Sequence, residues 1–183
     1  NDSAKRYQKL GVDVFIGSGK FTSPDTVAVG DKTLRFSKAV ITTGARAAVP
    51  PIPGLAEAGF LTNETVFSLT ALPARLAVIG AGPIGCELSQ AFARFGAHVT
   101  LIDAAPQILI REDQVAARRV GKSLLKDGVT FTLKAKILRM EKRGADKVIH
   151  VQVDGQESEL LVDEILVGVG RAPNVEGLGL DAA

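Results

Sequence analysis

The 183 residues are enough for one large domain or one and a fraction, and 46% hydrophobic with 23% charged residues is an ordinary globular composition able to bury a real core. Lysine plus arginine number 22 against 20 for aspartate plus glutamate, a net charge of +2, too small to draw the chain to nucleic acid or to a membrane surface. No apolar stretch reaches membrane-spanning length and no signal-peptide pattern opens the chain, so a cytoplasmic location is expected, and the initial Asn1 in place of Met marks an expected piece of a longer protein.

The first ten residues are polar and basic and are predicted as the tail of a helix. Residues 12–16, 26–29 and 34–36 read as short strands separated by Gly17-Ser18-Gly19, Ser23-Pro24-Asp25 and Gly30-Asp31, and 39–41 is a further apolar run ending in Thr42-Thr43-Gly44-Ala45. These strands are too few and short to stand alone, so they are expected to belong to something larger. Three prolines within Pro50-Pro51-Ile52-Pro53 stiffen the backbone and exclude helix, as suits a linker between domains. A loop and short helical turn are expected at 62–69.

Residues 75–103, RLAVIGAGPIGCELSQAFARFGAHVTLID, organise the rest. The run 76–79 is a predicted strand buried on both faces. Gly80, Gly82 and Gly85 follow in the spacing G-x-G-x-x-G, and Ile84, Leu88, Ala91, Phe92 and Phe95 then recur at helical spacing. A second strand at 99–102 ends on Asp103. The chemistry needs these residue types: Gly80 permits the sharp turn, Gly82 lets backbone approach a pyrophosphate, and Gly85 lets helix and strand pack closely. The helix N-terminus favours phosphate, and a carboxylate about 20 residues beyond the glycines accepts hydrogen bonds from ribose hydroxyls. Asp103 would repel a 2′-phosphate, which favours NAD over NADP.

Cys86 is the only cysteine, so neither an intrachain disulfide nor a C-x-x-C pair exists in this chain. Its place at the glycine-loop helix allows a lowered pKa. A small buried packing residue is the plainer expectation.

Beyond Asp103, a helix is predicted over 113–126 with Asp113 as N-cap, Asp127-Gly128 as its end, and Val115, Val120, Leu124 and Leu125 as its apolar face. Arg118, Arg119 and Lys122 read as solvated. Residues 129–133 form a third parallel strand. Alternation at 136–141, 147–153 and 159–161, with turns at Arg143-Gly144 and Asp154-Gly155, then replaces the next crossover helix by a meander. The apolar strand 165–169 leads into Gly170-Arg171-Ala172-Pro173-Asn174. His98 and His150 fall in or beside strands and are expected to be structural, and no metal site is expected.

The fold class is therefore α/β: a Rossmann-like three-layer domain with a parallel sheet and an antiparallel β-meander crossover, plus an incomplete FAD-domain segment. The last element rests on resemblance. Thr42-Thr43-Gly44-Ala45, PPIPG, GAGPIGCE, the meander and GVGRAPN together resemble the pyridine nucleotide-disulfide oxidoreductases, the flavoprotein disulfide reductases. TNETVFSL and ILIREDQVA are most similar to the mercuric reductase-like branch beside dihydrolipoamide dehydrogenase. The resemblance implies a partial FAD-domain meander at 1–46, a linker at 47–70, an NAD(P)-binding domain at 71–172 and a return toward the FAD domain at 173–183.

It also implies roles. Gly17, Thr43, Gly44 and Ala45 match FAD-contacting positions. Gly80, Gly82, Pro83, Ile84 and Gly85 match the pyrophosphate loop, and Asp103 matches the ribose acid. Ile137, Gly168 and Gly170 match walls of the dinucleotide site. Glu87 matches an acid near flavin and nicotinamide, although the sequence alone reads it as a first-turn acid beside the helix dipole. The family's FAD glycine motif and redox cysteine pair would precede Asn1, and its interface domain with a catalytic histidine would follow Ala183.

The implied function is to bind NAD(H), with NADP possible, for an FAD enzyme passing hydride to flavin and on to a disulfide or Hg(II). By itself the chain is expected to be inactive, and the complete protein to be a homodimer. A self-contained dehydrogenase is disfavoured, because Tyr7 is the only tyrosine and Gly11 stands where Y-x-x-x-K needs lysine. A non-catalytic NAD-sensing module is the alternative.

Overall fold

A computed structural model describes residues 3–183; Asn1 and Asp2, the start of the predicted helix tail, lie outside the described residues. The chain divides into two compact units, 46–172 and a smaller one made of 1–45 with 173–183.

In the smaller unit, helix α1 spans Ala4–Lys9, and strands β1 (Gly19–Ser23), β2 (Thr26–Val29) and β3 (Lys32–Arg35) form an antiparallel meander. Residues 12–16, expected as a strand, are irregular, as is the apolar run 39–41, with Ile16 88% and Val40 86% exposed. Alternation alone does not make a strand; a neighbouring ladder must accept its hydrogen bonds. Strands β4 (Ala45–Ala47) and β12 (Arg171–Pro173) pair as a short ribbon at the two unit boundaries.

The larger unit is built on strands β5 (Arg75–Ile79), β6 (His98–Ile102), β7 (Thr130–Thr132) and β11 (Glu164–Val167), all parallel in the order β11-β5-β6-β7. Helices α3 (Pro83–Phe95) and α4 (Gln114–Lys126) are the crossovers between β5, β6 and β7. The antiparallel meander β8 (Lys136–Arg143), β9 (Asp146–Val153) and β10 (Gln156–Val162) leads back to β11. Both faces of the sheet are therefore covered, which is why its strands are apolar throughout rather than alternating. Ala77, Ile79, Ile102, Ile165 and Val167 pack with Met140, Ile149, Val151 and Val162. Leu76, Val78, Val99, Leu101 and Leu166 pack with Cys86, Leu124 and Val129. The three layers are helices, parallel sheet and meander.

Residues 47–70, expected as a linker, instead pack into this unit. Leu55 and Ala58 of the short helix α2 (Leu55–Ala58) are buried against the meander layer, and Val66 of the 3-10 turn Val66–Ser68 is buried with the helical layer. Gly54 shows how tightly: at φ 78°, a Cβ there would stand 1.8 Å from the Met140 carbonyl oxygen.

Helix α4 is capped as its sequence predicts, the Asp113 carboxylate accepting the Val115 and Ala116 amides at 3.0 and 2.9 Å. Its buried face differs from expectation. Ala117, Gly121 and Leu124 face the core, while Val115 and Leu125 are 57% and 56% exposed. The inner stripe lies against Ile108 and Phe131, where a Cβ on Gly121 would stand in ordinary contact at 3.5 Å from Ile108 Cδ1.

Ion pairs brace the edges. Arg75 donates to both Asp163 and Asp146, joining β5 to the start of β9 and the turn before β11. Arg139 and Arg143 donate to Glu141 between them along β8 and hold its carboxyl down at about 2. Arg143 lowers Glu159, Arg75 lowers Asp163, and the amide of Gln90, then Arg94, lowers Asp127. Depressed carboxyls contribute stability that is fully present above the unfolded carboxylate range, about 4 to 4.5, and lost as pH falls toward 2. The melting temperature followed by circular dichroism is thus expected to be level from pH 7 to 5 and to fall steadily below pH 4.5; a level profile down to pH 2.5 would refute these pairs.

Candidate functional site

Strand β5 is followed directly by Gly80, whose amide donates to the Ile102 carbonyl at 2.8 Å. With φ at 101°, and with room for a Cβ only 2.5 Å from the Gly168 carbonyl oxygen, this corner requires glycine. Gly85 lies directly behind it. A Cβ on Gly85 would sit 1.8 Å from the Gly80 carbonyl oxygen, so α3 approaches the sheet as closely as backbone allows.

Gly82 is the N-cap of α3 with Pro83 at N1, and no side chain caps the helix. The first-turn amides have no intrahelical acceptors, and no side chain replaces them. A Cβ on Gly82 would meet nothing within 4 Å, because the residue faces open space.

Asp103 stands at the end of β6. Its Oδ2 accepts the Ala81 amide at 2.5 Å and its Oδ1 the Ala105 amide at 2.7 Å, so the carboxylate ties the glycine loop to the following loop. Leu109, at a left-handed φ of 51°, donates its amide to the Ala81 carbonyl at 2.8 Å and holds that loop against the glycine turn from the other side.

These elements enclose a cleft of about 750 Å³. Gly80, Gly82, Pro83, Ile84 and Asp103 line it with Ile137, Gly168 and Gly170, residues up to ninety positions apart in the chain. Gly85 is buried beneath the lining. Glu87 is not in the cleft; it is exposed in the second turn of α3, and the first turn holds no acid, so the reading of Glu87 as a dipole partner is corrected. Gly17, Thr43, Gly44 and Ala45 lie in the smaller unit. There Thr43 Oγ1 donates to the Asn174 carbonyl at 2.6 Å, Asn174 Nδ2 donates to the Thr43 carbonyl at 3.0 Å, and Gly44 accepts the Asn174 amide.

The cleft also contains Gln107, Arg111, Glu112 and Lys136, which sequence reasoning did not place there. From sequence, Glu112 was visible only as a loop residue, and Arg111 only as the first arginine after Asp103, too distant to make a basic pair beside it and so favouring NAD. Lys136 carried no signal at all, since it opens a strand of the meander.

Burial, with the charges of Asp103 and Glu87 adding to it, pushes the Cys86 thiol up to about 11, so the buried packing reading holds and the lowered pKa does not. On the meander, Glu141, His150 and Glu159 approach one another closely enough to share a cation. Arg139 and Arg143 already donate to those carboxylates, and two guanidiniums beside them oppose a third positive charge. The cluster is an ionic ladder across three strands.

A parallel sheet with a glycine turn, an uncapped helix start and a carboxylate at the next strand end defines a Rossmann-type α/β architecture. The sequence profile for "Pyridine nucleotide-disulphide oxidoreductase" matches residues 1–183, and the chain belongs to that family, whose members are oxidoreductases that bind dinucleotide cofactors. It is 34% identical over 176 residues to a mercuric reductase of Staphylococcus aureus, covering 96% of this chain and 32% of that protein. It is 32% identical over 182 residues to a dihydrolipoyl dehydrogenase of Acholeplasma laidlawii, covering 97% and 53%. Among solved structures, the HOCl-induced flavoprotein disulfide reductase RclA from Escherichia coli superposes with a TM-score of 0.82 at 31% identity, over 98% of this chain and 42% of that one. The chain thus spans about a third to a half of the proteins it matches.

Proposed function

We propose that this chain is the dinucleotide-binding portion of an FAD-dependent oxidoreductase that takes electrons from NADH and delivers them to a disulfide or to Hg(II). The observation that carries the reading is the uncapped start of α3 opening into a cleft that Asp103, bonded to the glycine loop, also lines. The donor set fits a dinucleotide. Ile84 and Gly85 offer first-turn amides to a pyrophosphate, and Gly82 leaves the approach free of side chain. The carboxylate of Asp103, already oriented by two amides, keeps lone pairs for ribose hydroxyls. Gly80 holds the turn, while Pro83, Ile137, Gly168 and Gly170 wall the cleft.

Bound NADH would supply a hydride, and FAD in the complete protein would relay the electron pair. In this proposal residues 71–172 form the NAD(P) domain, 47–70 joins it, and 1–46 with 173–183 belong to the FAD domain, where Gly17, Thr43, Gly44 and Ala45 would approach the flavin. Resemblance to the family supports those four assignments and a homodimeric assembly, and the setting proposed for the protein is cytoplasmic. No helix among the described residues is long and apolar enough to cross a membrane.

The test is calorimetric titration of the chain with NADH and, separately, NADPH. Tighter binding of NADH is the expected result. Equal or tighter NADPH binding would remove Asp103 as the selector, and binding of neither would refute the dinucleotide reading.

A further inference from the structure

Two cations in the cleft have no role in the proposed function. Lys136 and Arg111 both line it, and neither has an ion pair or side-chain hydrogen bond among the described residues. Other meander cations are engaged, Arg139 and Arg143 by Glu141, and Lys147 by Glu164 and the Gly59 carbonyl, and Lys142 does not line the cleft. An ammonium left free in a concave site retains its charge for a ligand.

Backbone hydrogen bonds bring both residues to the Asp103 end. The Ala135 amide donates to the Asp103 carbonyl and the Lys134 amide to the Ala105 carbonyl, each at 3.0 Å, so Lys136 follows directly on a segment pinned beside Asp103. Arg111 comes two residues after Leu109, which is bonded to Ala81, whose own amide Asp103 holds. Asp103 is therefore not alone in setting the potential there. Asp103 and Glu112 are balanced by Arg111 and Lys136, and both Asp103 oxygens are already neutralised in part by amides.

We propose that Lys136, assisted by Arg111, binds a phosphate monoester on the adenosine ribose, so that the cleft accepts NADPH as well as NADH and Lys136 sets how far NADH is preferred. The inference rests on the proposed dinucleotide reading and deepens it. Asp103 penalises a 2′-phosphate, and Lys136, carried on the segment bonded beside Asp103, offsets that penalty. A flexible four-carbon stem suits this role, because the ammonium can swing to a phosphate or stay in solvent when NADH is bound.

The experiment titrates wild-type chain, Lys136→Gln, Lys136→Arg and Arg111→Gln with NADH and NADPH at low and raised salt, using adenosine 2′-monophosphate and ADP as smaller probes. A charge-assisted contact removed from the ligand is worth about tenfold in affinity. Lys136→Gln is expected to weaken NADPH and adenosine 2′-monophosphate about tenfold while changing NADH and ADP less than twofold, and Lys136→Arg to restore most of the loss. NADPH binding should fall more steeply with salt than NADH binding, and the difference should shrink in Lys136→Gln. Equal weakening of NADH and NADPH would place Lys136 on the pyrophosphate and overturn the inference, as would an unchanged ratio. If wild-type chain binds NADH but Lys136→Gln leaves the ratio alone, only this inference fails; if it binds no dinucleotide, the functional reading fails with it.

Discussion

Gly85→Ala is expected to prevent stable folding of the larger unit. The new Cβ would lie 1.8 Å from the Gly80 carbonyl oxygen, a distance no packed atoms tolerate, and 3.0 Å from its carbon. Relief by a small shift is blocked, because Gly80 is bonded to Ile102 and packs its backbone so near Gly168 that its own Cβ would lie 2.5 Å from the Gly168 carbonyl oxygen. Overpacking costs about 1–3 kcal/mol where side chains can yield, and more where only backbone is available. Against a total stability of about 5–15 kcal/mol, the variant should melt at least 10 °C lower or fail to accumulate as soluble protein. Gly82→Ala is the matched control. Its Cβ enters open space, so the melting temperature should hold while NADH affinity falls, since that space is where the pyrophosphate is proposed to pass. A Gly85→Ala protein melting within 2 or 3 °C of the parent would refute the close approach.

The second large effect is at Asp103, where structure and binding are coupled. Asp103→Ala removes the acceptor of both the Ala81 and Ala105 amides, leaving two donors without partners at the mouth of the cleft. Such a loss costs about 1–3 kcal/mol of stability. It also removes the proposed ribose acceptor, so NADH should bind about 10- to 100-fold more weakly while NADPH loses less. Asp103→Asn separates the two effects: its amide oxygen can still accept a backbone N–H and recover part of the melting temperature, but it has no charge to repel a 2′-phosphate. Calorimetry on both variants with both dinucleotides decides the matter. An equal loss for NADH and NADPH in Asp103→Ala would show that the residue shapes the loop without selecting the cofactor.

The strand–turn–helix of β5, α3 and β6 was legible because its determinants are local and mutually consistent: an apolar run, three glycines in fixed spacing, then helical periodicity. The β9–β10 hairpin was legible for the same reason, since Asp154 and Gly155 both take positive φ, as a tight two-residue turn demands. The Asp113 cap needs only its own next three residues. At the site, Gly80, Gly82, Pro83, Ile84 and Asp103 came from one stretch of sequence, and Ile137, Gly168 and Gly170 from family resemblance. Arg111 and Lys136 came from neither, because their approach to Asp103 depends on how two loops and the meander stack over the sheet.

Sequence by itself thus determined the local conformations and the parallel-sheet class, which follow from φ/ψ limits, capping and hydrophobic period within about 20 residues. Tertiary structure alone decided which of those elements found partners. It left residues 12–16 and 39–41 without a ladder, turned Val115 and Leu125 of α4 outward in favour of Ala117, Gly121 and Leu124, and kept Glu87 outside the cleft. The physical reason is that burial is a competition for a limited interior. Which side chain wins it depends on the volume and hydrogen-bonding groups of residues far away in the chain, here Ile108, Phe131 and the Gly80–Gly168 backbone contact.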